Sequence, residues 1–161
     1  IKLCNERKNL YFLHNYNENM SLKRSALLAL RSDLPLLIHS DLWKKSPFTD
    51  RLLLNQLKLN PLAEIACPLR YSRDFPQQSV FTFFPETENI PAEYIKNPIS
   101  YRNSFKSKKI ADFSEDYCLI RQDLLQKFLD SKFDDSPFGL KSLAQNIQSR
   151  IYVSLDTLLF T

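Results

Sequence analysis

Eight of the nine prolines fall between positions 35 and 98. A proline inside a helix removes a backbone donor and clashes with the preceding turn. Helices in that region must therefore be short, and a coiled coil is excluded there. The prolines also punctuate the stretch around which the chain is organised, SPFTDRLLLNQLKLNPLAEIACPLRYSRDFPQQSVFTFF, residues 46–84. Ser46 has the residue type of a helix cap, and Pro47 suits the first helical position, where its missing N–H costs nothing. From Thr49 to Leu59, Leu53, Leu54 and Leu57 share one side, while Arg51, Asn55 and Lys58 line up on another. Pro61 stops the helix, because the residue before a proline is pushed towards extended geometry.

Beyond Pro61 the pattern changes from helical to alternating. Ala63, Ile65, Cys67, Leu69 and Tyr71 alternate with Leu62, Glu64, Ala66, Pro68 and Arg70. That predicts a half-buried strand with Pro68 on a sheet edge, since proline cannot donate to a ladder. Reading Pro61–Ala66 as a further helical turn capped by Asn60 is the weaker alternative. After the loop SRDFPQQ, Val80–Phe84 is apolar on both faces and closes at Pro85, giving a second strand over 79–84.

Upstream, residues 1–19 are polar and Asn-rich around a short LYFL run, and read as an arm or first extended segment. Met20–Ser32 is helix-like, with Ser21 as cap and Leu22, Ala26, Ala29 and Leu30 as the stripe. Leu36–His39 is a short strand, and Ser40 opens a turn of helix around Leu42 and Trp43. Downstream, Pro91–Lys96 reads as a helical turn and Tyr117–Ile120 as a strand. Arg121–Phe133 is helical, with Asp123–Lys127 as a favourable pair one turn apart. Ser136–Pro137–Phe138 repeats the SPF start and opens a helix through Leu140, Leu143 and Ile147. Ile151–Leu155 is strand-like. The expectation is an α+β fold of short helices packed on a small antiparallel sheet, winged-helix-like in the 21–84 region. One domain spans 20–161, and the Ile1 start suggests a fragment of a longer chain.

The single glycine, Gly139, constrains chemistry as the prolines constrain shape. Phosphate-cradling loops use several glycines so that backbone amides can approach the anion. Walker, Rossmann and kinase-type loops are therefore excluded for this segment, and no cofactor is expected. No apolar run approaches the roughly 18–20 residues that cross a bilayer, and no secretory leader pattern opens the chain. Cys4, Cys67 and Cys118 are odd in number and widely spaced, which favours a reducing intracellular setting over a disulfide framework.

His14 and His39 lack neighbours at metal-ligand spacing, and read as one exposed and one half-buried histidine. Cys67 or Cys118 with His39 could form a nucleophilic dyad only by spatial proximity. Each cysteine sits in an apolar run that reads as core. The acid pairs Glu86/Glu88, Glu115/Asp116 and Asp134/Asp135 read as solvated or capping groups rather than an acid–base pair.

Two non-catalytic functions remain, with a Cys/His-dependent enzyme third. The first is a protein-interaction or structural subunit of a larger intracellular assembly. It rests on 12% aromatic content and on Phe81, Phe83 and Phe84, which leave a strand face in need of a partner. The alternative is nucleic-acid binding, in which Arg51, Asn55 and Lys58 read base edges from a recognition helix. Tyr101, Arg102, Phe105, Lys106, Lys108 and Lys109 would then contact phosphates and stack on bases. Residues 99–110 carry four bases and no acid, whereas 111–135 carry seven acids against three bases. Net charge is only +4, mild for a dedicated nucleic-acid domain.

Overall fold

The computed structural model describes residues 10–17, 19–71, 109–110, 113 and 115–160. In chain order these give β1 (Phe12–Asn15), α1 (Leu22–Arg31), β2 (Leu36–His39), β3 (Lys44–Lys45), α2 (Thr49–Leu59) and β4 (Ile65–Tyr71). There follow β5 (Lys109–Ile110), β6 (Cys118–Ile120), α3 (Gln122–Leu129), α4 (Pro137–Asn146) and β7 (Ile151–Phe160). The expected strand over 79–84 and helical turn at 91–96 lie outside the described residues.

The fold is α+β. The strands form one sheet in the order β1-β2-β6-β4-β7-β3, with β5 paired to the start of β7. The sheet is mixed rather than antiparallel: β1 pairs β2 and β4 pairs β7 in parallel, while β6 runs antiparallel between β2 and β4. Thus β1, β2, β4 and β7 all run the same way. A winged-helix-like arrangement is not confirmed, because β4 is an interior strand between β6 and β7 rather than part of a two-stranded wing.

Alternation along the strands sends side chains into two apolar layers. On one face Leu36, Ile38, Ile65, Cys67, Cys118 and Ile120 pack under α1, α3 and α4. On the other, Leu37, Ala66, Leu119 and Leu159 pack under α2 through Leu53, Leu54 and Leu57. Residues 65–68 are consequently buried on both faces, not half-buried as the alternation suggested. Pro68 lies beyond the β6 pairing, which covers only Ile65 and Ala66, and pairs β7 alone among the described residues. It sits where the β4–β7 register breaks: Pro68 pairs Ser154, and Leu69 then pairs Leu158. A residue without an N–H is tolerated at such an irregularity, and Thr157 closes it by donating from Oγ1 to the Ser154 carbonyl at 3.1 Å.

Side-chain capping explains the starts of α1 and α4. Ser21 accepts from the Arg24 amide at 3.0 Å, and Ser136 from the Gly139 amide at 3.1 Å, with Pro137 at the first helical position. The earlier SPF does not cap. Ser46 leaves β3 directly, and the chain turns through a left-handed conformation at Phe48 (φ 60°, ψ 20°) before α2 begins at Thr49. The Ser46 hydroxyl meets the Thr49 hydroxyl at 3.2 Å, and Thr49 Oγ1 donates to the Ser46 carbonyl at 2.7 Å. Residues 41–43 form a turn rather than the expected helical turn, with the Trp43 indole donating to Asp116 at 2.8 Å. Residues 61–62 are also a turn, and β4 begins only at Ile65. Lys127 pairs not with Asp123 but with Glu64, 3.3 Å away in the loop before β4.

Candidate interaction face

Helix α2 is tied down at both ends by side chains remote in sequence. Asp50, in its first turn, accepts from the Tyr11 hydroxyl at 2.9 Å on one oxygen and from the Tyr117 hydroxyl at 2.6 Å on the other. Lys45 lies 3.5 Å from the same carboxylate and 5.8 Å from the Tyr117 ring centre. A carboxylate at this end of a helix also meets the positive end of the macrodipole. Burial, then the hydrogen bond to Asp50 and its charge, push the Tyr11 phenol up to about 12. The same causes, with burial again the largest, raise Tyr117. Both phenols therefore act as neutral donors.

At the other end Arg121 replaces the missing helical donors. Its Nε donates to the Ala63 carbonyl at 2.6 Å, and its Nη2 to the carbonyls of Leu57 and, at 3.2 Å, Asn60. A planar guanidinium can serve several acceptors at once, and its charge suits the negative end of the dipole.

Held this way, α2 turns one face to the sheet and the other to solvent. Arg51, Asn55 and Lys58 are all exposed on the outward side, as their spacing predicts. Large apolar residues frame them. Phe48 is 67% exposed before the first turn; Leu59 is 78% and Leu62 66% exposed at the far end. Spacings of four and eight residues place Leu59 on the same side as Asn55 and Arg51. Phe48 is unusual in a second way. A bulky residue in the left-handed region is strained, and here its side chain gains little burial in return. The other two positive-φ residues among those described, Asp33 and Gln148, instead follow helix ends.

Of the remaining candidates, Tyr101, Arg102, Phe105, Lys106 and Lys108 lie outside the described residues, as do Phe81, Phe83, Phe84, Glu86, Glu88 and Cys4. For Lys109 the structure places only its backbone, in β5 against Tyr152. The Cys/His dyad does not assemble. Cys67 and Cys118 are buried in the layer beneath α1 and α3. His39 leans instead on Tyr117, a member of the α2 layer, at 5.5 Å between ring centres. Its Nδ1 lies 3.3 Å from Asn15 Oδ1 and 3.5 Å from Asp41 Oδ1, at the C-terminal ends of β1 and β2.

His14 is not exposed: it is buried and bonds Ser25 at 2.8 Å between β1 and α1. The downstream acid pairs act structurally. Asp135 accepts from the Ser21 hydroxyl and the Lys23 amide at the start of α1, and Glu115 pairs with Lys141 at 3.3 Å. Among the described residues, no group of three or more His, Cys, Asp or Glu is placed to hold a metal ion. Nor is any helix among them long and apolar enough to cross a membrane.

The residues that fix the face, Tyr11, Asp50, Tyr117 and Arg121, escaped the sequence analysis. Their partners are 39 to 67 positions away, beyond any local pattern. Neither protein-family models nor curated proteins give a match to this chain.

Proposed function

We propose that this chain is a non-catalytic protein-interaction domain, a subunit of a larger intracellular assembly, that docks through the outward face of α2. One observation carries the reading: Phe48, Leu59 and Leu62 stand exposed at the two ends of a helix whose own position is fixed from both sides. Large apolar groups rimmed by polar ones are the composition of a docking patch. A face that does not have to be ordered on binding also loses less entropy when a partner arrives. The buried thiols Cys67 and Cys118 suit a reducing compartment.

Nucleic-acid binding is the second reading, favoured by Arg51, Asn55 and Lys58 sharing one exposed stripe. The helix face alone supplies two cations, for a salt slope of about −2 on duplex DNA, whereas strong binders neutralise roughly 6–10 phosphates, so this reading leans on Arg102, Lys106, Lys108 and Lys109 as well. The apolar frame would also meet a phosphate backbone unproductively.

The test is a salt titration against a fluorescent duplex and a single strand. The parent is compared with the Arg51→Ala/Asn55→Ala/Lys58→Ala variant. Protein docking predicts no difference between the two, and no saturable binding at about 50 mM salt. Salt-sensitive binding that disappears in the variant contradicts it and makes α2 a groove-reading helix.

A further inference from the structure

Resting on that reading, we infer that the partner presents an acidic amphipathic helix, whose apolar stripe meets Phe48, Leu59 and Leu62 while its carboxylates meet Arg51 and Lys58. The chemistry follows from what α2 offers. Its exposed outward groups comprise two cations, one amide and the apolar groups at its ends. The acid of the helix, Asp50, is engaged by Tyr11, Tyr117 and Lys45 and so does not balance that charge. A basic partner would meet Arg51 and Lys58 as like charges, whereas an acidic one is steered towards them. A purely acidic partner would leave Phe48, Leu59 and Leu62 in water. An extended strand fits less well than a helix, because α2 presents side chains and no unpaired backbone edge. Phe48 and Leu59 lie 11 residues apart, about 16 Å along the helix axis, a span that an apolar stripe on a partner helix of three or more turns can bridge.

The probes are three fluorescein-labelled peptides of about four helical turns. The first carries leucine at i, i+4, i+7 and i+11 with glutamate elsewhere. The second replaces its leucines by serine, and the third its glutamates by lysine. Anisotropy titrations use the intact protein, Leu59→Ser/Leu62→Ser and Arg51→Glu/Lys58→Glu. These residues are exposed, and unchanged circular dichroism melts confirm that each variant folds.

The expected result is saturable binding of the first peptide alone. It weakens at least about tenfold in either variant, and Arg51→Glu/Lys58→Glu gains affinity for the lysine peptide. Equal binding of the serine peptide overturns the inference by showing that charge alone is read. Binding of the leucine–glutamate peptide that neither variant changes overturns it too, since the contact then lies elsewhere, yet protein docking as such survives. If no peptide binds while the oligonucleotides of the salt titration do, both the inference and the docking reading fall.

Discussion

Asp50 holds two phenols through separate oxygens, but the two bonds differ in worth because their donors differ in burial. Tyr117 is 1% exposed, whereas Tyr11 is only partly buried. Removing a buried donor from a carboxylate costs about 1.5–3 kcal/mol, and a wetter one about 1 kcal/mol. Tyr117→Phe should therefore lower the urea-melt stability more than Tyr11→Phe does, and equal losses would contradict the assigned geometry. The same pair gives an alkaline signature. Both phenols have native pKa values above their ordinary value of 10, Tyr11 at about 12. The native state thus keeps protons that the unfolded chain has lost. Their contribution is complete below pH 10 and declines as pH rises, through about 12 for Tyr11, with Tyr117 raised in the same direction. A Tyr11→Phe/Tyr117→Phe variant should show a flatter stability profile above pH 10. Phe48 carries the opposite sign. Asparagine tolerates the left-handed region better, so Phe48→Asn should raise stability by about 0.5–1 kcal/mol while weakening docking. A loss of stability would mean that Phe48 serves the fold instead.

At the scale of the element, two copies of Ser-Pro-Phe show what a local pattern can and cannot convey. Ser136–Pro137 caps α4 as its chemistry predicts, because the preceding loop lets the chain enter the helix at Pro137. Ser46–Pro47 does not, because the pairing of Lys44–Lys45 with β7 fixes where the chain must turn. Ser136→Ala should cost about 1 kcal/mol, as N-cap losses do. Close packing makes α4 sensitive at its third residue as well. A Cβ at Gly139 would lie 1.9 Å from the Asp134 carbonyl oxygen, so Gly139→Ala must displace backbone. Overpacking of this kind costs about 1–3 kcal/mol. For α2 the critical residue is remote. Arg121→Ala should remove about 2–3 kcal/mol in urea melts, and Arg121→Lys should restore little, because an ammonium lacks the planar fork. Full rescue by lysine would show that charge, not the three carbonyl contacts, matters there.

For the molecule as a whole, what could be read from the sequence is what is local. The α1 stripe of Leu22, Ala26 and Ala29, the outward set Arg51, Asn55 and Lys58, and the core placement of Cys67 and Cys118 all follow from periodicity. The mixed sheet was not legible. Alternation over 63–71 is equally compatible with one covered face or two, and only the packing of α1, α3 and α4 on one side and α2 on the other shows that both are covered. Nor was the fixing of α2 legible, since Tyr11, Asp50 and Tyr117 meet only once β1, α2 and β6 have assembled. The proposed docking rests on that assembled feature, a helix held at both ends with an exposed, mildly basic and apolar outer face.

The most direct measurement is site-specific photocrosslinking of the full-length protein in its own cells. A benzoylphenylalanine replaces Asn55 on the outward face of α2, or Lys132 in the exposed loop between α3 and α4. Docking through α2 predicts a discrete protein adduct from position 55, absent from position 132 and lost when Leu59→Ser/Leu62→Ser is added. The same adducts from both positions, or nuclease-sensitive adducts from position 55, would contradict it.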